Sequence, residues 1–432
     1  MRGGLTIGVG VVTGSAIGVL RVALTAYLLG THSQADSLAV ALGPVDTFNS
    51  ILINSMIFAF VPMLTARAGA ERVALFGKLT RGFAIVFSCI TLLTLIAAPW
   101  LMRALAPGLA QPYFDHAVII LRILSFSTLL AGVAAAYSAL LFTDRRFAPA
   151  AFYQAALNVC TIACALALWK ALGVYAFAIG YTTGAAAQLA ILFFATRRQR
   201  FQEKRVECEL GFAEILARPA FFMVYAGGLA VNLMFTRAWA THSGAGMAAA
   251  FDYCLRGVGV PMALLVNPIS NSLLPEIARL RSLARMRDAL RLIDRTLALT
   301  ALVVIAGCGF ALLFRKPAIA LFFQRGSFTA ESTQLVAAVF LGMGPSLAGW
   351  TLLEITARSL FGLNRPWPPV IAAAIPVIVN VAITLRLPAG RPEFLGIGAT
   401  AGVTAGFLAL FAMMHLGRRR WLQQDLTSAA VQ

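Results

Sequence analysis

Apolar residues in this chain do not alternate with polar ones. They come in runs. Twelve runs of mostly apolar residues, centred near residues 17, 52, 91, 129, 158, 185, 230, 262, 303, 347, 378 and 405, are separated by short polar gaps. Each run reaches the roughly 20 residues that a helix needs to cross hydrocarbon. Helices are the required form, because open sheet edges do not survive in lipid and a barrel would show short alternating segments. The pattern predicts an all-α polytopic membrane protein of about twelve spans. The first run, after Arg2, is longer than a secretory signal core and contains Arg21, so it is expected to be a retained span.

The runs also repeat. Spans six and twelve carry Gly180 and Gly184, and Gly398, Gly402 and Gly406, each followed by a basic pair, Arg197–Arg198 and Arg418–Arg419. Spans four and ten end in LLFTDRRFAP and SLFGLNRPWP, so Phe142, Arg146 and Pro149 share a spacing with Phe361, Arg365 and Pro368. Spans two and eight close on Val61-Pro62 before Arg67 and Leu274-Pro275 before Arg279. Three correspondences in one order predict a duplicated six-helix unit, with parallel halves around a central cavity. The expected division is 1–196, a basic linker at 197–218, 219–417, and a tail at 418–432. A surface helix is expected at Phe212–Ala217. A second is expected over 280–295, where Leu283, Met286, Leu290 and Ile293 form one stripe, with an ordinary solvated connector as the alternative. The glycine ladders, including Gly10, Gly14 and Gly18, suit close helix packing, with hinging as the alternative.

Composition sharpens this picture. Sixty per cent hydrophobic residues, 12% charged residues and a mean hydropathy of +0.83 exclude a single soluble core in a polar shell. The net charge of +18 would suggest nucleic acid in a soluble protein, but its placement points elsewhere. Lys and Arg fill the N-terminus and alternate gaps: Arg67 to Arg81, Arg145–Arg146, Arg197 to Arg205, Arg279 to Arg291, Arg365, and Arg418 to Arg420. The intervening gaps are nearly free of them, with single residues such as Arg103 and Lys170 and the pair Arg386 and Arg391, the main exception being the gap after the ninth run with Arg315, Lys316 and Arg325. By the positive-inside rule both termini are cytoplasmic, and the charge faces a leaflet rather than nucleic acid. The six cysteines form no CxxC pair, and five of them, inside spans, read as small packing residues.

Enzyme signatures are absent: there is no HExxH or GxxxxGK[ST], and His32, His116, His242 and His415 are scattered. Neither catalysis, a metal nor a cofactor is expected. Ionisable residues at membrane depth remain, and such residues mark ligand pathways or internal pairs. Glu354 and Arg358 are expected to pair at i, i+4, and Asp252 to neutralise Arg256. Arg122 is placed near a boundary, where its side chain reaches headgroups. Arg21, Arg237 and Arg256 could converge on a multivalent anion, since guanidinium matches phosphate oxygens in pairs. The competing arrangement is distributed salt bridges with Asp36 or Asp46.

Three stretches carry a resemblance. RVALTAYLLGTHSQADSLAVAL with FAFVPMLTA, FDYCLRGVGVPMALLVNPISNSLLPEIARL, and LFFQRGSFTAESTQ with LFGLNRPWP resemble the MurJ/MviN lipid II flippases of the multidrug/oligosaccharidyl-lipid/polysaccharide exporter superfamily. The LFxRGxF element is the most telling. By position, Arg21, Asp36 and Arg256 match charged residues that the family uses in its central cavity. The departures are Ser15 for a span-one arginine, Asn49, Ser50 and Asn54 for an arginine pair and a glutamate, and Gly259 for a glutamate after the span-eight arginine.

The resemblance implies a flippase of the bacterial inner membrane. Its cargo would be a polyprenyl-pyrophosphate-linked saccharide, lipid II or a related envelope precursor, moved outward by alternating access. Arg21, Arg256 and Arg237 would meet the pyrophosphate, and Asn49, Ser50 and Asn54 the sugar hydroxyls. Envelope-synthesis enzymes are the expected protein partners. The alternatives are a drug/cation antiporter of the same superfamily, which would carry cavity carboxylates, and an inert scaffold for envelope synthesis.

Overall fold

The computed structural model describes residues 2–67, 69–144, 146–197, 220–262, 267–283 and 285–429. The described residues are overwhelmingly helical and contain no strand. In chain order the helices are α1 (Arg2–Leu29), α2 (Ser33–Thr65), α3 (Gly69–Leu105), α4 (Tyr113–Thr143), α5 (Phe147–Leu172), α6 (Tyr175–Ala195), α7 (Ala220–Ser243) and α8 (Met247–Pro261). They continue as α9 (Asn267–Ser282), α10 (Met286–Leu313), α11 (Arg315–Phe323), α12 (Ala330–Met343), α13 (Ser346–Gly362), α14 (Trp367–Ala372), α15 (Ala374–Thr384) and α16 (Ile397–Ala429). Eight stretches among the described residues are long and apolar enough to cross a membrane, one of them α14 with α15, and a ninth forms if α12 and α13, bent by 44°, count as one span. The remaining three predicted centres fall on α1, on α2 and at the end of α8. The expected helix at Phe212–Ala217 lies outside the described residues, as does nearly all of the linker.

Turn chemistry sets the helix ends. Gly30 sits at φ 56° and donates its N–H to Ala26 O at 2.8 Å, the left-handed glycine stop that closes α1. Asn364, at φ 59°, does the same after α13: its N–H reaches Phe361 O, and Arg365 N reaches Leu360 O at 2.8 Å.

The chain folds as two compact units. Unit 1 is Met1–Met223 with Arg237–Ala249 and Arg325–Thr329; unit 2 is Val224–Thr236, Ala250–Gln324 and Ala330–Gln432. In unit 1, α2 packs on α4, α5 on α6, and α1 on α5. Its core joins Phe60, Phe83, Phe87, Leu75 and Tyr137, with the Phe60 and Phe83 rings 5.4 Å apart. In unit 2, α15 and α13 pack on α16, and α9 and α10 on α13, around Ile277, Ile293, Leu353, Leu360 and Leu410.

The internal repeat is visible within each unit. Arg146 N donates to Leu141 O and Arg365 N to Leu360 O, at matching positions after α4 and α13. In unit 1 a Cβ on Gly180 or Gly184 would meet Thr161 or the Leu157 backbone; in unit 2 one on Gly398 or Gly402 would meet Asn380 or Pro376. The partners Leu157 and Thr161 stand at the same constant offset from Pro376 and Asn380. Lipid supplies no hydrophobic force between helices, so such close backbone approach is a main source of cohesion.

One expectation is corrected. Residues 280–295 are not one surface helix: α9 ends at Ser282, the chain turns, and α10 begins at Met286. Met286, Leu290 and Ile293 pack into the unit 2 core, and only Leu283 of the predicted stripe is exposed. An apolar stripe that seats a helix on its own protein has the same periodicity as one that seats it on lipid.

Candidate functional site: polar groups buried in membrane-spanning helices

Unit 1 buries a polar cluster where α1, α2, α4 and α6 meet. Arg21, on α1 and 7% exposed, places its guanidinium carbon 5.8 Å from the centre of the Tyr181 ring on α6. That separation and the ring's negative face make a cation–π contact, which is stronger when shielded from water. The Tyr181 hydroxyl donates to Asp46 Oδ1 on α2 at 2.8 Å. One turn further, Asn49 donates through Nδ2 to Ser127 Oγ on α4 at 3.3 Å, and Ser127 donates to Leu124 O. Cation, ring, hydroxyl and carboxylate thus form a chain in which a buried charge is compensated by groups from three helices. Ser50 is exposed, and the Asn54 side chain lies outside the described set.

Asp36 and Arg237 occupy a second buried region of unit 1. Asp36, 3% exposed, accepts Gly246 N–H at 2.6 Å and Ala249 N–H at 2.8 Å through its two oxygens. These amides belong to the first turn of α8 and the residue before it, so Asp36 acts as a capping carboxylate supplied from α2 and favoured by the helix dipole. Arg237, on α7 and 2% exposed, packs its guanidinium against Gly43 of α2, where any Cβ would overlap it. The polar periodicity of α2 gives no warning that a glycine must make room for an arginine almost two hundred residues away.

Unit 2 holds two charge pairs within membrane-spanning helices. Arg256 Nε lies 2.7 Å from Asp252 Oδ2 on the same helix. Arg358 Nε lies 2.6 Å from Glu354 Oε1, and Tyr225 donates to Glu354 Oε2 at 3.2 Å. Both pairs are the i, i+4 arrangements expected from spacing. Sequence reading missed a fully buried amide centre. Asn380 Nδ2 is shared among Asn232 Oδ1 at 2.8 Å, Asn232 O at 3.2 Å and Thr236 Oγ1 at 2.8 Å. Thr384 donates to Asn380 Oδ1 at 2.9 Å. Each amide and hydroxyl is unremarkable in sequence, and only the packing of α7 on α15 collects them.

Arg21, Asp36, Asn49, Ser50 and Arg237 therefore lie in unit 1, and Arg256 lies in unit 2. Among the described residues no three His, Cys, Asp or Glu side chains gather as they would to hold a metal ion.

Known proteins place the chain. The sequence model of the family described as "Lipid II flippase MurJ" matches residues 25–431. A "Probable lipid II flippase MurJ" of Rhizobium meliloti is 27% identical over 443 residues, covering 96% of this chain and 80% of its own length. A "Lipid II flippase MurJ" of Burkholderia cenocepacia is 25% identical over 415 residues, covering 91% and 80%. Among solved structures, a lipid II flippase MurJ in an inward closed conformation superposes with a TM-score of 0.82 at 17% identity, covering 99% of this chain and 92% of that one. A multidrug-resistance transporter of the MATE family superposes at 0.78 with 12% identity, covering 95% and 96%. At such identities the superpositions speak for the fold alone, whereas the family match runs through nearly the whole sequence. This multi-pass membrane protein belongs to the lipid II flippase MurJ family.

Proposed function

We propose that the protein moves lipid II, or a closely related polyprenyl-pyrophosphate-linked saccharide, from the cytoplasmic to the outer leaflet. The observation that carries this reading is the family match over residues 25–431, supported by relatives that bear the flippase name. Both termini are cytoplasmic in this proposal, in keeping with the alternation of basic gaps.

In unit 1 the proposed anion contacts are Arg21 and Arg237, with Asp36 holding the α8 end in place. A guanidinium presents two parallel N–H groups to phosphate oxygens and stays charged at any physiological pH. The Tyr181–Asp46 pair beside Arg21 keeps that guanidinium compensated in the unliganded protein. Asn49, Ser50 and Asn54 offer amide and hydroxyl groups to sugar, short polar side chains suited to uncharged partners. In unit 2 the proposed contact is Arg256, whose i, i+4 pair with Asp252 can be exchanged for a phosphate. With the cell interior negative, outward movement of an anion is downhill by about 2.3 kcal/mol per charge per 100 mV, so no nucleotide hydrolysis is required. Enzymes that make or consume the precursor are the proposed neighbours in the membrane.

The test is transport in liposomes with fluorescent lipid II. Wild-type protein is expected to deliver the lipid to the far leaflet, faster when the trans side is made positive. Transport of organic cations with no movement of lipid II would replace this reading with the antiporter one.

A further inference from the structure

The first turns of α10 carry a basic face that points away from the unit 2 core. With Met286, Leu290 and Ile293 packed into unit 2, the residues that remain outward are Arg287, Arg291 and Arg295, one ridge at i, i+4, i+8. The same ridge continues into Leu299, 55% exposed, and Val303, 56% exposed, and beyond them Phe310 and Leu313 are also open. Along this ridge, which winds slowly round the helix, the chemistry changes from basic to apolar within the single turn from Arg295 to Leu299. At about 1.5 Å per residue, Arg295 stands about 6 Å and Arg291 about 12 Å beyond the first open leucine. The neighbouring α16 repeats the change: Leu416 is 80% exposed, and Arg419 and Arg420, one turn later, are exposed.

Among the described residues, acidic side chains near these arginines are already engaged. Asp294 binds Arg418, which clasps α10 to α16. Asp288 pairs with Arg285 at 2.7 Å. Glu276 is hydrogen-bonded by Arg279, which holds its carboxyl below the ordinary range. Trp421, buried under the Arg365 guanidinium at 5.6 Å, anchors the end of α16. Arg295 and Arg419 flank the Asp294–Arg418 pair, so Arg287, Arg291, Arg295, Arg419 and Arg420 line an exposed cationic shelf on unit 2 where an apolar flank ends.

We infer that this shelf binds the phosphate of an anionic phospholipid headgroup, holding a lipid against α10 and α16. The acyl chains lie along the open Leu299–Val303 and Leu416 flank, and the phosphate is gripped by Arg295, Arg291 and Arg419. A soluble acidic partner would gain nothing from the apolar flank below the arginines, whereas a lipid uses both. The inference borrows from the proposed orientation only the leaflet that supplies the lipid; the binding itself does not depend on transport.

The experiment counts phosphatidylglycerol molecules retained per protein by native mass spectrometry, with thermal melting in phosphatidylglycerol and in phosphatidylcholine. Wild-type protein is expected to retain phosphatidylglycerol and melt higher in it. Neutralising one surface arginine weakens such an attraction about fivefold, so Arg287→Gln/Arg291→Gln/Arg295→Gln should lose both effects and keep its melting point in phosphatidylcholine. Arg419→Gln/Arg420→Gln gives the second reading should the triple variant fail to fold, and Arg103→Gln/Lys170→Gln controls for loss of exposed charge elsewhere. Equal phosphatidylglycerol retention by wild type and both shelf variants would overturn the inference. So would full protection of wild type by inorganic phosphate alone, which would make the shelf a free-anion site.

Discussion

At the scale of single residues, buried charge is tolerated only where its surroundings were built around it. Arg21 rests on Tyr181, and Tyr181 is in turn held by Asp46, so a change at any one of them reaches the others. Tyr181→Phe keeps the ring and removes the hydroxyl, leaving a half-buried Asp46 oxygen without that donor. A cost of about 1–3 kcal/mol is expected, read as a lower melting temperature with the fold retained. Gly43→Val should be harsher, because the new side chain would occupy the space of the Arg237 guanidinium. Displacing a buried charge from its place costs about 3–5 kcal/mol, so little folded protein should be recovered from the membrane. The charged residues themselves were legible in sequence, since an arginine in an apolar run stands out. Their partners were not: Tyr181, Gly43, Asn232 and Asn380 have no unusual neighbours along the chain, and their meaning arises only from helix packing.

At the scale of elements, the spans were legible because bilayer thickness imposes a length that few other structures need. The breaks inside them were less so. The α12–α13 bend interrupts a run that remains apolar, and the α9–α10 break interrupts an amphipathic stripe that keeps its period; neither hydropathy nor periodicity registers a change of direction. The α8 end depends on a carboxylate from another helix. Asp36→Ala should lose about 0.5–2 kcal/mol through the missing cap, whereas Asp36→Asn, which retains an acceptor, should lose less. Hydrogen exchange at Gly246 and Ala249 would read this locally, with faster exchange expected in the alanine variant. Packing through glycine predicts a parallel pair of outcomes. Gly184→Leu in unit 1 and Gly402→Leu in unit 2 should each separate one helix pair, α5 from α6 or α15 from α16, and destabilise to a similar degree. Similar losses would reflect the duplication that recurs in Arg146–Leu141 and Arg365–Leu360.

At the scale of the whole molecule, the family match supports the proposed passage of a lipid-linked diphosphate, and the buried guanidiniums are its proposed contacts. The repeat was readable from three short matched segments. The family was readable from three quoted stretches, the LFxRGxF element above all, whose order of polar and glycine residues resembles that of the flippases. What one sequence could not give is how polar residues from distant helices are combined, since any Asn, Tyr or Gly in an apolar helix has many possible neighbours. The most direct measurement is the initial rate of lipid II flipping by Arg21→Ala in liposomes, compared with Arg285→Ala, whose residue is exposed and paired with Asp288. The account predicts that Arg21→Ala, reconstituted at equal folded amount, flips at least tenfold more slowly, a loss of about 1.4 kcal/mol or more, while Arg285→Ala keeps the wild-type rate. Flipping by Arg21→Ala at the wild-type rate would contradict it.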